Sequence, residues 1–316
     1  MTDKFKPLQL AYLGASEMSD FAEMYLRQQE EVNAYFQSES SYWKDVYTLK
    51  GVQAEIIRDR HAAVLEWIDG LALAPGSHVL EVGCGTGLMA VALAQRGLRV
   101  QAIDSVEAMV ELARRHATES GASNLLSVDV GDIFALAFDD GSFDLVIGLG
   151  VIPWLERAES AMQEMARVTK AGGYVILTTA NRAGLASLLD PLVSPLLRPL
   201  KLRVKDAFVR VGFRHRSPSM VFHSSRAIDK ALTGLGFVKT KGMTRGFGFS
   251  FFRRSVLPES LGTALNRRLQ SFADREVPGI RSIGMAYFIL ARKSPSGHLV
   301  RSTSTRDTLS DAMKAL

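Results

Sequence analysis

The chain has 316 residues, a formal net charge of +5, 47% apolar and 22% charged residues, a globular composition that excludes a fibrous or disordered chain. Its one cysteine, Cys84, excludes an internal disulfide and a cysteine-clustered zinc site. No apolar run reaches the ~20 residues of a membrane-spanning helix, and residues 1–20 lack the basic-then-apolar order of a secretory signal, so the expectation is a cytoplasmic protein, of a length for one large α/β domain with additions or two small ones.

Residues 16–49 form an acidic lead-in rich in aromatics: Phe21, Tyr25, Tyr35, Phe36, Tyr42, Trp43 and Tyr47. Its first half reads as helix and Ser38–Ser41 as a break. Helical periodicity resumes over Val52–Leu71, on the stripe Ile56, Ile57, Val64, Leu65 and Ile68, and Pro75-Gly76 turns the chain. A βαβ alternation follows, which predicts a parallel sheet. Strands are expected at 78–82, 99–103, 125–130, 143–149 and 174–179, with helices at 88–96, 106–116 and 157–168. The rhythm fails after Ala180. A helix at 227–235 and strands at 237–243 and 286–291 then complete the sheet, and residues 294–316, rich in Ser and Thr, read as a tail.

The turn after the first strand is the most informative segment. Glu81 is followed by Gly83, Gly85 and Gly87 at alternate positions, and helix formers begin at Leu88. Glycines remove the Cβ atoms that keep a ligand from the backbone, and the following helix directs free N–H groups at the same place. A dinucleotide fingerprint would need glycine at 88; Leu88 argues against it. Asp104 ends the second strand 21 residues after Gly83, where a carboxylate can accept from both hydroxyls of a ribose.

The pattern Glu81-x-Gly83-x-Gly85-x-Gly87 resembles motif I of class I S-adenosylmethionine (SAM)-dependent methyltransferases. Asp104, Gly131-Asp132-Ile133, Phe143–Val146 with Leu149-Gly150, and Ala171-Gly172-Gly173 match the family's later motifs in order, with Ala171 in place of the usual proline. The resemblance covers residues 50–180 closely and 223–292 loosely, and is nearest to the ubiquinone/menaquinone-methyltransferase-like group acting on small molecules. It implies a Rossmann-like, seven-stranded, mostly parallel sheet with helices on both faces. It divides the chain into a helical N-terminal lid (1–50), the SAM-binding core (51–180), an inserted cap (181–222), the remainder of the sheet (223–293) and the tail (294–316).

By the same resemblance the cofactor is SAM. Gly83, Cys84, Gly85 and Gly87 would pass against its methionine and ribose, Glu81 would hold the methionine amino group, and Arg60 would pair with the carboxylate. Asp104 would take the ribose, Ser105 and Met109 would contact adenine, Asp132 and Ile133 would bind its amino group and ring, and Leu149 and Gly150 would close the fourth motif. Cys84 sits near a helix start, where thiols can become reactive, but the family commonly has a small residue there and packing is the better reading.

Methyl transfer from a sulfonium needs chiefly alignment and exclusion of water, and a base only when the acceptor must lose a proton. Candidate bases are His61, His215, His223 and Tyr42. Candidate acceptor contacts are Tyr42, Trp43 and Tyr47 in the lead-in, with Pro153 and Trp154 past the fourth strand. Gly150-Val151-Ile152-Pro153-Trp154 is similar to the Asn-Pro-Pro-Tyr signature of amino methyltransferases but lacks its Asn and first Pro, so an apolar wall for a flat or lipophilic acceptor is expected: a quinone, a polyketide or a lipid-like metabolite. No metal cluster is evident.

Residues 181–222 carry eight basic and two acidic residues, leaving the rest of the chain at −1. Leucines at helical spacing there are interrupted by Pro191, Pro195 and Pro199, and proline inside a helix costs ~3 kcal/mol, so a broken, leucine-rich basic cap is expected. It would cover the acceptor, with 185–216 able to meet an anionic membrane surface, or would be an ordinary solvated face over buried leucines. The basic run also leaves open an RNA or DNA methyltransferase. A SAM-binding protein without methyl transfer is a further alternative.

Overall fold

The computed structural model describes residues 29–185, 218, 220–248, 250–251, 254–255 and 257–295. Helix α1 (29–38) is followed, after a turn at Glu39, by α2 (Ser40–Asp45) and α3 (Val52–Asp69). The core alternates β1 (His78–Val82), α4 (Leu88–Ala94), β2 (Arg99–Asp104), α5 (Glu107–Glu119), β3 (Leu126–Val130), β4 (Phe143–Gly148), α6 (Ala158–Val168) and β5 (Thr169–Asn181). There follow β6 (Phe222–His223), α7 (Ser225–Gly234), β7 (Phe237–Arg245), a small hairpin of β8 (Ser250–Phe251) and β9 (Arg254–Ser255), α8 (Glu259–Asp274) and β10 (Ala286–Lys293).

The sheet runs β3-β2-β1-β4-β5-β10-β7, with β6 pairing beside β5 as an eighth strand. The pairs among β1 to β6 are parallel, whereas β10 is antiparallel to both β5 and β7. Connections lead one way from β1 to β3 and the other way from β4, so the order reverses between β1 and β4. In open α/β sheets a crevice forms there, outside the carboxyl ends of the strands.

Alternation along β1 divides the core. Val79 joins one apolar cluster with Val64, Trp67, Met89, Leu93 and Val110. Leu80 and Val82 join the other with Met162, Met165, Ile228 and Leu232. Successive side chains point to opposite faces, so Glu81 falls on the face of Val79, toward α3 and α4.

The expected seven strands become eight through the two-residue β6. The strand expected at 174–179 instead begins at Thr169, so Ala171-Gly172-Gly173 lies in the irregular start of β5, with a register shift between Phe143 and Leu145. A Cβ on Gly173 would lie 3.0 Å from the carbonyl oxygens of Asp144 and Lys170, so backbone crowding accounts for glycine there. The expected break at Ser38–Ser41 is confined to a turn at Glu39. Helix α8 had no counterpart among the expected elements. It buries Gly262, Asn266, Gln270 and Ala273, a face half polar, which conceals it from an apolar-period reading. Residues 1–28, most of the segment expected as an inserted cap (186–217) and all but two residues of the expected tail lie outside the described residues. Among the described residues no helix is long and apolar enough to cross a membrane.

Candidate active site

At the carboxyl ends of β1, β2, β3 and β4 lies a cavity of about 500 Å³, roofed by residues from α1 and the segment 43–47. Its floor is the glycine turn. Gly83, Gly85 and Gly87 all have positive φ, a region costly for side chains. A Cβ on Gly83 would collide with the Val151 side chain, and one on Gly87 would stand 2.8 Å from the Ala113 Cβ. Gly85 has open space instead, and its N–H points at Asp104.

Asp104 fastens two strand ends together. Its Oδ2 accepts from Gly85 N–H at 2.9 Å and its Oδ1 from Val106 N–H at 3.0 Å. Each carboxylate oxygen keeps a further lone pair. Burial raises the Asp104 pKa above the usual carboxylate range, and these backbone donors oppose the rise.

Glu81 is 3% exposed, and its Oε2 has no hydrogen-bond partner. Burial pushes its pKa up to about 8; the charge of Asp104 adds to the rise, while the Ala90 backbone N–H and the Arg60 guanidinium oppose it. A buried carboxyl short of one partner is costly, and a cationic ligand beside it would favour its ionised form. Arg60 extends from α3 over Gly150, its Nη1 2.7 Å from where a Gly150 Cβ would stand, with its own Nε buried and unpartnered.

The Tyr47 hydroxyl and His61 Nε2 share a 2.6 Å hydrogen bond. Burial, reinforced by the neighbouring Arg60 charge, lowers the His61 pKa to about 3, so the imidazole is neutral. Burial raises the Tyr47 pKa, with Arg60 opposing. Burial, and then the charges of Glu81 and Asp104, raise the Cys84 pKa well above its ordinary value, which leaves a packed thiol and not a nucleophile.

Of the residues singled out in the sequence, Trp43, Tyr47, Arg60, His61, Glu81, Gly83, Cys84, Gly85, Asp104, Ser105, Met109, Asp132, Ile133, Leu149, Gly150 and Trp154 line this one cavity. Four others do not. Gly87 packs against α5. Tyr42 is 38% exposed, edge-on to Trp43. Pro153 is buried in the 3-10 turn Ile152–Trp154, where its carbonyl accepts from Val221 N–H. His223 is in β6, its Nε2 buried without a partner and its pKa lowered by burial. His215 lies outside the described residues.

Sequence reading did not single out Asn33 as a site residue, nor give Phe36 a site role. Asn33 Oδ1 accepts from Ser105 Oγ at 3.0 Å, which ties α1 to the residue after Asp104. Phe36 and Tyr35 stand against Trp154, at centroid distances of 5.3 and 5.9 Å. Their helical spacing with Val32, also in the lining, was the available signal. No cluster of three or more metal-ligating side chains occurs among the described residues.

Residues 80–177 match the family described as a methyltransferase domain. The chain is 39% identical over 126 residues to a ubiquinone biosynthesis O-methyltransferase of Paracidovorax citrulli, covering 40% of this chain and 52% of that protein. It is 36% identical over 129 residues to one from Pseudomonas aeruginosa, covering 40% and 54%. The chain thus spans about half the length of the curated relatives it matches. Among solved structures, magnesium protoporphyrin IX methyltransferase from Synechocystis PCC 6803 with bound SAH superposes with a TM-score of 0.57 at 21% identity, covering 84% of this chain and 100% of that one. That likeness is one of fold. With the strand order, the glycine turn fastened to Asp104 and the matched domain in place, the chain carries a methyltransferase domain of the class I SAM-dependent type.

Proposed function

We propose that the protein transfers a methyl group from SAM to a small lipophilic molecule, at an O, N or C atom, with oxygen favoured by the names of its curated relatives. The observation that carries this reading is the Asp104 carboxylate held by Gly85 and Val106 at the floor of the cavity, beside a buried Glu81 with one oxygen unpartnered.

The residues fit the cofactor. Glu81 offers an acceptor for its ammonium group, Arg60 a cation for its carboxylate, and Asp104 free lone pairs for its ribose hydroxyls. Asp132 and Ile133, with Ser105 and Met109, stand on the adenine side. The bound cofactor supplies a methyl group on a positively charged sulfur. The protein's part is alignment and exclusion of water, served by the roof from α1 and by Val151 standing beside Gly83. A neutral His61 adds no repulsion against a cationic ligand.

The acceptor belongs on the side of Trp43, Tyr47 and Trp154. The inserted segment leaves from the end of β5 and returns at Val221, whose N–H reaches the Pro153 carbonyl at 2.7 Å. Its returning end thus stands at the acceptor loop, while its outgoing end, Leu185, bonds the Ile283 carbonyl; the first of these favours the cap reading of residues 181–222. A membrane contact through 185–216 and a cytoplasmic location are part of the same proposal.

Titration calorimetry with SAM and with S-adenosylhomocysteine (SAH) tests it: saturable binding of both is expected, and no heat with either would overturn it. Activity that collapses with added salt would point to a nucleic-acid acceptor.

A further inference from the structure

Helix α1 lays Gln29, Val32, Asn33 and Phe36 along the cavity lining, a spacing that puts them on one helix face. Two of the four are polar, and they act together. Asn33 Oδ1 accepts from the Ser105 hydroxyl at 3.0 Å and from Gln29 Nε2 at 2.9 Å. An amide is planar, so a carbonyl oxygen held at two points also fixes where its Nδ2 stands. That nitrogen carries two N–H donors, and among the described residues it has no hydrogen-bond partner. Ser105 directly follows Asp104, and Asn33, Asp104 and Ser105 share the lining. Asn33 therefore stands at the end of the cavity that Asp104 governs.

Donors and acceptors at that end do not balance without it. A hydroxyl is one donor and two acceptors, whereas a carboxylate only accepts. Asp104 can take the hydrogens of the ribose hydroxyls but leaves their lone pairs unmet. The N–H groups of Gly85 and Val106 are already given to Asp104, and the Ser105 hydroxyl to Asn33. We infer that Asn33 is a further cofactor-binding residue: its Nδ2 donates to a ribose hydroxyl whose hydrogen Asp104 holds, while its Oδ1, tied to Ser105, keeps α1 over the sugar. The inference rests on the cofactor assigned under the proposed function. Phe36, nearly one turn further along α1, meets Trp154 at 5.3 Å. Ribose recognition and the seating of the loop after β4 thereby share one helix.

Calorimetry on the full chain tests this with SAH, with 5′-methylthioadenosine, which keeps the nucleoside half alone, and with the 2′-deoxy and 3′-deoxy forms of that nucleoside. Asn33→Leu should weaken SAH and methylthioadenosine by the same factor, about three- to tenfold, the worth of one hydrogen bond. It should also shrink the penalty for deleting one of the two hydroxyls by that factor, because variant and analogue then lack the two halves of one contact. Asn33→Asp keeps an acceptor for Ser105 and Gln29 but has no N–H, and should lose at least as much affinity. Ser105→Ala removes the tie alone, so both hydroxyl penalties should keep their original size. A urea midpoint near that of the unaltered protein shows each variant folded. Hydroxyl penalties unchanged in both Asn33→Leu and Asn33→Asp would overturn the inference, since a merely structural asparagine would lower affinity without touching them. Penalties that shrink as much in Ser105→Ala as in Asn33→Leu would also overturn it, by making the roof and not the amide the cause. If the unaltered protein binds neither SAH nor methylthioadenosine, the proposed function itself fails and takes the inference with it.

Discussion

The three glycines of the first turn look equivalent in sequence, yet the structure gives Gly85 and Gly87 different penalties for a side chain. Gly87 has φ +77°, and a Cβ there would stand 2.8 Å from the Ala113 Cβ and 3.1 Å from its Cα. Left-handed backbone costs a residue with a Cβ about 1–2 kcal/mol, and forcing α4 away from α5 costs a further ~1–3 kcal/mol. The less flexible unfolded chain returns about 0.4–1 kcal/mol. Gly87→Ala should therefore lose about 2–4 kcal/mol of stability, a large part of a typical total of ~5–15 kcal/mol. Gly85 has φ +55° and nothing within 4 Å of its Cβ position, so Gly85→Ala should lose only about 1 kcal/mol. Gly85 lines the cavity and Gly87 does not, so the order reverses for the cofactor: Gly85→Ala should weaken SAH binding and Gly87→Ala should leave it nearly intact. Urea denaturation and SAH calorimetry on both variants measure the two orders. Equal stability losses, or a greater loss for Gly85→Ala, would refute the packing argument.

Glu81, raised to about 8 in the folded protein, keeps a proton between pH ~4.5 and ~8 that the unfolded chain has released. Stability should therefore fall as pH rises through that window, by up to ~1.4 kcal/mol per pH unit from this group, and Asp104 acts in the same direction. Glu81→Gln should flatten the slope between denaturation midpoints taken at about pH 6 and about pH 8; an unchanged slope would count against the assignment. SAM binding near neutral pH should release up to one proton from Glu81, read from binding heats in buffers of different ionisation enthalpy, and the same heat in every buffer would speak against it. Asn266 is fully buried, with its Oδ1 accepting from Phe247 N–H and its Nδ2 donating to Glu55, so Asn266→Leu should cost at least ~2 kcal/mol by urea denaturation. Tyr47→Phe leaves His61 Nε2 without the hydroxyl at 2.6 Å and should lower stability by about 1 kcal/mol, without changing SAH affinity more than a few-fold; a large loss of SAH affinity would show that the hydroxyl touches the cofactor.

Local pattern carried β1 and its turn. Val79, Leu80 and Val82 are apolar, glycines stand where the backbone must bend, and Leu88 opens a run of helix formers, all within eleven residues. The same holds for the succession of β2 to β5, since strand and helix periods are written in consecutive residues. It failed at α8 because that helix buries Asn266 and Gln270 to hold the backbone of Phe247 and Gly246. A polar buried stripe has no signature in hydropathy; only its distant partners explain it.

The sequence by itself determined the class of fold and the place of the glycine turn and of Asp104 at the ends of their strands, because both rest on spacing along one stretch of chain. Only the tertiary structure decided which candidates share a cavity. It put Tyr47 on His61, Ser105 on Asn33 and Phe36 on Trp154, and it left Gly87, Tyr42, Pro153 and His223 outside the lining. Contacts between segments far apart in the chain depend on the strand-order reversal between β1 and β4 and on how α1 to α3 lie over it. No local period encodes that packing.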